Sequence, residues 1–328
     1  MKFRTLGRTD IQVSEIGFGS WAIGGDAWGP QDDEDSIAAL HRALDLGCTF
    51  IDTALSYGSG HSERLIGRVL KERGQRVILA TKVPPKNELW GPPPYQGIDE
   101  EFPPDWIVEC CERSLRNLGV DCIDVLLLHT WSMSWSHRTE WCEAMIKLKQ
   151  EGKIRANGIS VNDRLVSQAN VHIEAGRVDV IEVVYNIFEQ LPEYELFPLA
   201  EKHNIGIIVR SPLQAGVLTG KFTIGTTFPK GDWRREWTPP GWLAENVAMA
   251  EKVRPIIKAM GMPMATAALK FCLSHPAVST VIPGCRNPKQ VEINMAVSEI
   301  PPLPSEAIDA LRELWKKGEI HGTYTGSS

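Results

Sequence analysis

No stretch of this chain reaches the length of a membrane-spanning helix, and no apolar run follows the opening Met1-Lys2-Phe3-Arg4-Thr5-Leu6-Gly7. Such a sequence is expected to be cytoplasmic, unprocessed and without a membrane partner. Positive charge is not in excess either. The 35 Lys and Arg stand against 41 Asp and Glu, a formal net charge of -6, so there is no electrostatic footprint for nucleic acid. The seven cysteines include no C-x-x-C pair, which speaks against a zinc site or a disulfide framework and fits a reducing compartment. No G-x-G-x-x-G fingerprint opens a strand-turn-helix unit, so the usual dinucleotide fold is not indicated. No metal site is expected.

What the chain does have is a regular alternation of β-branched runs and helical periodicity. Two short alternating runs, 2–6 and 11–16, flank Gly7-Arg8-Thr9-Asp10 and read as a β-hairpin. Apolar runs then end near Phe18 and at Asp52, Lys82, His129, Ser160, Tyr185, Arg210 and Ile282. Between them, helical spacing is expected over 62–72, 105–118, 141–151, 163–175, 194–203, 243–260 and 288–297. A further helix follows Asp32-Asp33-Glu34-Asp35, whose carboxylates suit a helix start better than a metal, since consecutive residues there cannot all face one ion. Eight alternations describe an α/β fold, a (β/α)8 TIM barrel, read as one domain over residues 1–328. Gly17 and Gly19 in the first strand permit close approach, of packing neighbours or of a ligand.

In such barrels the chemistry gathers where strands end. Asp52, Lys82 and His129 close three strands, and Tyr57 follows the first of them by five residues. A free phenol is a weak acid at neutral pH, but a neighbouring ammonium stabilises its phenolate. Lys82 can be that ammonium, Asp52 can hold it, and His129 can orient a carbonyl oxygen that receives the proton of Tyr57. This set, with Leu6-Gly7-Arg8-Thr9, Val13-Ser14 and Ile16-Gly17 before it, resembles the aldo-keto reductases, whose tetrad is Asp, Tyr, Lys and His in this order. The resemblance implies a hairpin plugging the barrel bottom, long loops over its C-terminal face, and hydride transfer between a nicotinamide cofactor and a carbonyl.

It also implies a cofactor path. Ser160 matches the serine that binds the nicotinamide carboxamide, and the family's glutamine, three residues before Tyr185, is Glu182 here. An ionised carboxylate accepts but does not donate, so carboxamide recognition either differs or draws on Asn162 or Asn186. Alternatively Glu182 forms an ion pair inside the barrel. The segment from Ser211 through Leu213, Gly216 and Lys221 resembles the family's pyrophosphate-covering loop. Gly284 and Arg286 precede a helix bearing Gln290 and Asn294, where the family holds the adenosine half, and Ile293 replaces a common glutamate. Arg286 implies NADP(H), because a guanidinium grips a 2′-phosphate.

Eleven tryptophans are many for this length. Several fall in two proline-rich segments, 84–104 and 223–242, and in the loop after His129. Trp21, Trp90, Trp131 and Trp233 are the candidates for stacking on a small carbonyl or sugar-like substrate. Residues 305–328, with Leu311, Leu314 and Trp315, either close the pocket or pack on the wall, and the tail from His321 is expected to be flexible. The sequence does not separate a reductase from a sugar or alcohol dehydrogenase, nor from a slow-turnover NADPH-sensing subunit. It sets no oligomeric state.

Overall fold

The structure, a computed structural model, describes every residue except Asp26, Arg164 and 324–328. Strands β1 (Phe3–Thr5) and β2 (Gln12–Ser14) form the antiparallel hairpin. Eight parallel strands follow: β3 (Phe18–Gly19), β4 (Phe50–Asp52), β5 (Ile78–Val83), β6 (Ile123–Leu128), β7 (Ile154–Ser160), β8 (Val180–Val184), β9 (Gly206–Arg210) and β10 (Val278–Val281). They lie in chain order, and the sheet closes on itself. Gly17 N donates to Val281 O at 2.8 Å and Gly19 N to Pro283 O at 3.1 Å, with parallel bridges Ile16 to Val281 and Gly19 to Gly284. A side chain at Gly19 would start 2.6 Å from Ile282 O. That glycine therefore serves the seam rather than a ligand.

Side chains alternate across each strand, and the alternation sorts the barrel into an inside and an outside. Phe50, Ala80, Val125, Leu127, Ala156, Val180 and Ile208 point inward and pack with Leu6, Ile11 and Val13 of the hairpin. The hairpin is thus the floor of the barrel. Gly7 sits at φ 55° with Gly206 N only 2.1 Å from where its Cβ would be, so no other residue fits this contact. Outward residues such as Ile51, Leu79, Leu126, Ile181 and Val183 pack beneath the helices.

The helix starts follow local chemistry. Asp32 caps Asp33–Asp45, accepting from Glu34 N at 2.8 Å and Asp35 N at 3.2 Å. The long helices expected early in the chain are present as His61–Arg73, Pro104–Leu118 and Glu140–Gln150. Three readings need correction. The helix expected over 163–175 is a 3-10 turn, Val166–Ala169, leading into the short Asn170–Glu174. The one expected over 194–203 is two short helices, Pro192–Glu195 and Phe197–His203, each with a proline in its first turn. A helix at Met264–Leu273 has no counterpart in the sequence reading; nine of its ten residues are buried, so no amphipathic stripe announces it.

Ser305–Lys316 packs on the wall, with Leu311 fully buried and Trp315 stacked on Tyr194 at 5.4 Å. Of the tail expected to be flexible, 324–328 lies outside the described residues. Before it, Thr323 is buried and its Oγ1 is 2.8 Å from Gln214 Nε2 and 3.0 Å from Asn246 Nδ2.

Candidate active site

The alternation that sends Phe50, Ala80, Val180 and Ile208 inward sends the residues two places later inward as well. Asp52, Lys82, Glu182 and Arg210 therefore occupy one layer, above the apolar filling and at the C-terminal mouth, with Ser160 beside them. Lys82 is completely buried. Its ammonium donates to Asp52 Oδ1 at 2.7 Å, Asp52 Oδ2 at 2.6 Å and Thr53 O at 2.9 Å, and lies 3.3 Å from Glu182 Oε2. Ser160 Oγ donates to Glu182 Oε1 at 2.9 Å. Arg210 donates to Asp163 Oδ1 at 2.7 Å and Val161 O at 3.0 Å, and its Nε stands 3.9 Å from Glu182 Oε1.

Tyr57 lies in the turn after β4, half-buried, with the Lys82 ammonium 5.3 Å from its ring centroid. His129 extends the ladder one residue past β6, its N donating to Val83 O at 3.0 Å. Its ring meets Tyr57 edge-on at 5.6 Å, and its Nδ1 is 3.3 Å from Ser56 Oγ. Asp52, Tyr57, Lys82 and His129 are thus brought together. Burial disfavours the Lys82 ammonium, but the Asp52 and Glu182 carboxylates more than offset that and hold its pKa above the usual value. Burial raises the Tyr57 phenol above its ordinary value, and Lys82 opposes the shift. Burial, then Lys82 and Arg210, push His129 well below the usual imidazole range. An uncharged imidazole and a protonated phenol thus stand together at neutral pH.

Around this centre the tryptophans divide. Trp21 stacks on Tyr57 at 6.2 Å and on Trp233 at 5.7 Å, and Trp90 meets His129 edge-on at 4.7 Å. Trp131 does not join them. It is fully buried against Trp135, Trp141 and His172, beneath the helices and away from the mouth. The segment carrying Trp233 is strapped across the opening: Trp233 N donates to Ala27 O at 2.8 Å, and Trp28 bridges Asp232.

The cofactor candidates divide similarly. Tyr185 points outward, packed on Phe197 and Phe271 with its hydroxyl on Glu193. Asn186 Nδ2 holds the covering loop, donating to Ser211 O and Gln214 Oε1, each at 3.0 Å. Asn294 is buried, with its Nδ2 on Cys285 Sγ at 3.2 Å. Asn162 is engaged by Thr130 and Trp131 O. The loop itself is strained, with Ser211, Gln214 and Ala215 at φ 52°, 44° and 52° and Gly216 at 94°. Leu213 is half-buried, whereas Lys221 and Gly284 are exposed.

Arg286 reaches over the seam between β10 and β3, donating to Gln31 Oε1 at 2.7 Å and to Pro30 O. Gln290 Oε1 accepts from Arg286 N at 2.8 Å. An open cleft of about 530 Å³ lies here, lined by Pro30, Gln31, Asp32, Asp35, Arg286, Asn287 and Gln290. It is roomy, polar and provided with a guanidinium, as the adenosine half of a phosphorylated dinucleotide requires. Arg210 and Gln31 were absent from the sequence-based candidates. Arg210 carried a signal, two places beyond inward-facing Ile208; Gln31 carried none, because its partner is 255 residues away.

Comparison with known proteins agrees with this geometry. The Aldo/keto reductase family model matches residues 15–316. An aldo-keto reductase of Bacillus subtilis, YhdN, is 34% identical over 309 residues, 92% of this chain and 88% of that protein. A NADH-specific methylglyoxal reductase of Escherichia coli is 32% identical, covering 92% and 94%. Among solved structures, a glycerol dehydrogenase from Gluconobacter oxydans superposes with a TM-score of 0.79 at 30% identity, over 98% of this chain and 97% of that one. The chain belongs to the aldo/keto reductase family. It is an NADP(H)-dependent oxidoreductase acting on carbonyl or alcohol groups.

Proposed function

We propose that the protein exchanges a hydride reversibly between NADP(H) and a small carbonyl or sugar-like compound, with Tyr57 as the proton donor in the reducing direction. The observation that carries this reading is Lys82. Its ammonium is buried, fixed by Asp52 and Thr53, and 5.3 Å from the centroid of the Tyr57 ring. Bound NADPH supplies the hydride.

Tyr57 gives its proton to the carbonyl oxygen, and Lys82 stabilises the phenolate left behind. Asp52 holds Lys82 in position. His129, kept uncharged, directs a hydrogen bond at the same oxygen without competing for the proton. Trp21 and Trp90 provide flat apolar faces against which a ring or a polyol chain can lie, whereas Trp233, expected at the substrate, is buried behind Trp21 and serves as its backing. For the cofactor, Arg286, Gly284 and Gln290 would hold the adenosine end, the loop from Ser211 through Leu213 and Gly216 to Lys221 the diphosphate, and Ser160 with Glu182 the carboxamide. The same groups run the oxidation of an alcohol in reverse, with Tyr57 taking the proton; the likeness to a glycerol dehydrogenase supports that direction.

Tyr57→Phe tests the assignment, since it deletes the hydroxyl and keeps the ring beside Trp21. Turnover is expected to fall by about 10²- to 10⁴-fold. NADPH affinity, read from tryptophan quenching, is expected to stay at the wild-type value. Undiminished turnover would exclude Tyr57 as the proton donor.

A further inference from the structure

Lys82 has three N–H groups, and Asp52 Oδ1, Asp52 Oδ2 and Thr53 O take all three. Glu182 Oε2 nonetheless lies 3.3 Å from the same ammonium, buried and with no hydrogen-bond partner among the described residues. Two carboxyl groups thus share one ammonium, and only one of them is hydrogen-bonded to it; burial and then Glu182 hold the Asp52 carboxyl well above the usual carboxylate range, against the pull of Lys82. The position is a matter of strand register: Glu182 pairs with Ser160 on β7 and with Ile208 on β9, so its side chain enters the tetrad's layer. The other Glu182 oxygen accepts from Ser160. The second cation, Arg210, stays 3.9 Å away because its Nη2 is engaged by Asp163 and Val161 O. In the resembled family this site holds a neutral glutamine. Here it holds an acid of the same length.

We infer that Glu182 is a positioning residue that divides the charge of Lys82 with Asp52, and so sets the pH at which Tyr57 releases its proton. The inference rests on Tyr57 being the proton donor, and extends that reading. A carboxylate in this layer opposes formation of a second anion on Tyr57, and it draws on the ammonium that would stabilise that anion. The groups that bear on Tyr57 are Asp52 and Glu182, which oppose its ionisation, and Lys82 and Arg210, which favour it; burial adds to the opposition. Asp163 acts through Arg210. His129, held neutral, contributes no charge. A glutamine at 182 keeps an acceptor for Ser160 while removing the negative charge. The phenol then yields its proton more easily, so the acid form needed for reduction is depleted, and the phenolate needed as the base for oxidation is populated, at lower pH than in wild type.

The test is the pH profile of kcat and kcat/KM for NADPH-dependent reduction of an aromatic aldehyde, run across the neutral and alkaline range. Wild type, Glu182→Gln, Arg210→Gln and Tyr57→Phe are compared, with folding checked by circular dichroism and NADPH binding by fluorescence. In Glu182→Gln the alkaline fall-off is expected about one pH unit or more lower than in wild type. In Arg210→Gln it is expected to move the opposite way. A fall-off in Glu182→Gln that stays in place, or moves up, overturns the inference, whatever happens to the maximal rate. If Glu182→Gln does not fold, Glu182→Ala, measured in the same way, decides, and a fall-off there that fails to drop overturns the inference. Full turnover in Tyr57→Phe instead removes the underlying proton-donor assignment, so the two failures are distinguishable.

Discussion

Buried titratable residues in this protein lie in two environments with opposite consequences. In the catalytic layer Asp52, Lys82, Glu182 and Arg210 each lie within 4 Å of a group of opposite sign, and the chemistry uses the imbalance. Beneath the helices, His172 has no such partner. It is fully buried against the edges of Trp131 and Trp141, its Nε2 lacks a hydrogen bond among the described residues, and burial, helped by Arg177, lowers its pKa to about 4. A folded-state value below the unfolded one, about 6.5, means the unfolded chain binds the extra proton first. The stability linked to this residue is therefore complete above about pH 6.5 and drains as pH falls toward about 4, by roughly 3 kcal/mol in all. His172→Phe keeps an aromatic shape and removes the proton site. Denaturation midpoints measured near neutral pH and near pH 4 are expected to differ less in the variant than in wild type, and an equal difference would assign the acid sensitivity elsewhere.

The same residue scale shows why some site residues were readable and others were not. Asp52 ends β4 and Lys82 lies one residue before the end of β5, both on inward positions, so their chemistry and their place agree. Tyr185 stands three residues after Glu182, and an odd step along a strand crosses the sheet. With Glu182 inside, Tyr185 has to face the helices, where Phe197 and Phe271 receive it. Trp131, two residues beyond His129, has left the strand, and no periodicity governs where it turns.

Among the elements, the strap over the mouth is held by unusual means. Arg234 donates to both oxygens of Asp232, which is fully buried, and to Ala215 O at 3.1 Å, while its guanidinium lies 4.7 Å from the Trp28 ring and 4.3 Å from the Phe228 ring. One side chain thereby ties the strap to both the covering loop and the segment around Trp28. Arg234→Met leaves the Asp232 carboxylate buried without its cation, an arrangement that costs about 3 kcal/mol or more. Such a penalty is relieved by opening the strap rather than by unfolding the barrel. Limited proteolysis is expected to cut the variant faster within 223–242 while the barrel fragment resists, and uniform digestion would count against this local role. At this scale the sequence showed proline and tryptophan in the strap, but Arg234 took its meaning only from aromatic rings brought to it in space.

For the whole molecule, the hairpin is the part on which barrel closure leans. Leu6 is fully buried against Gly206, at the centre of the inward cluster with Phe50, Val125, Leu127 and Val180. Leu6→Ala opens a cavity that eight strands cannot close by shifting, and is expected to cost about 2–5 kcal/mol. Chemical denaturation should retain one cooperative transition, at lower denaturant. A variant as stable as wild type would mean that the floor contributes little.

The sequence alone determined the order of the strands and of most helices, the hairpin, and the placement of Asp52, Lys82 and His129 at or beside strand ends, because periodicity and chain order are local properties that survive without a third dimension. It determined the family for the same reason, through short motifs in a constant order. Tertiary structure decided which of these residues meet. The convergence of Asp52 and Glu182 on one ammonium, the reach of Arg286 to Gln31, and the removal of Trp131 and Tyr185 from the mouth depend on barrel closure and strand register, which pair residues distant in the chain. A buried ammonium with three donors can be hydrogen-bonded to only three acceptors, and only the folded barrel determines which acceptors those are.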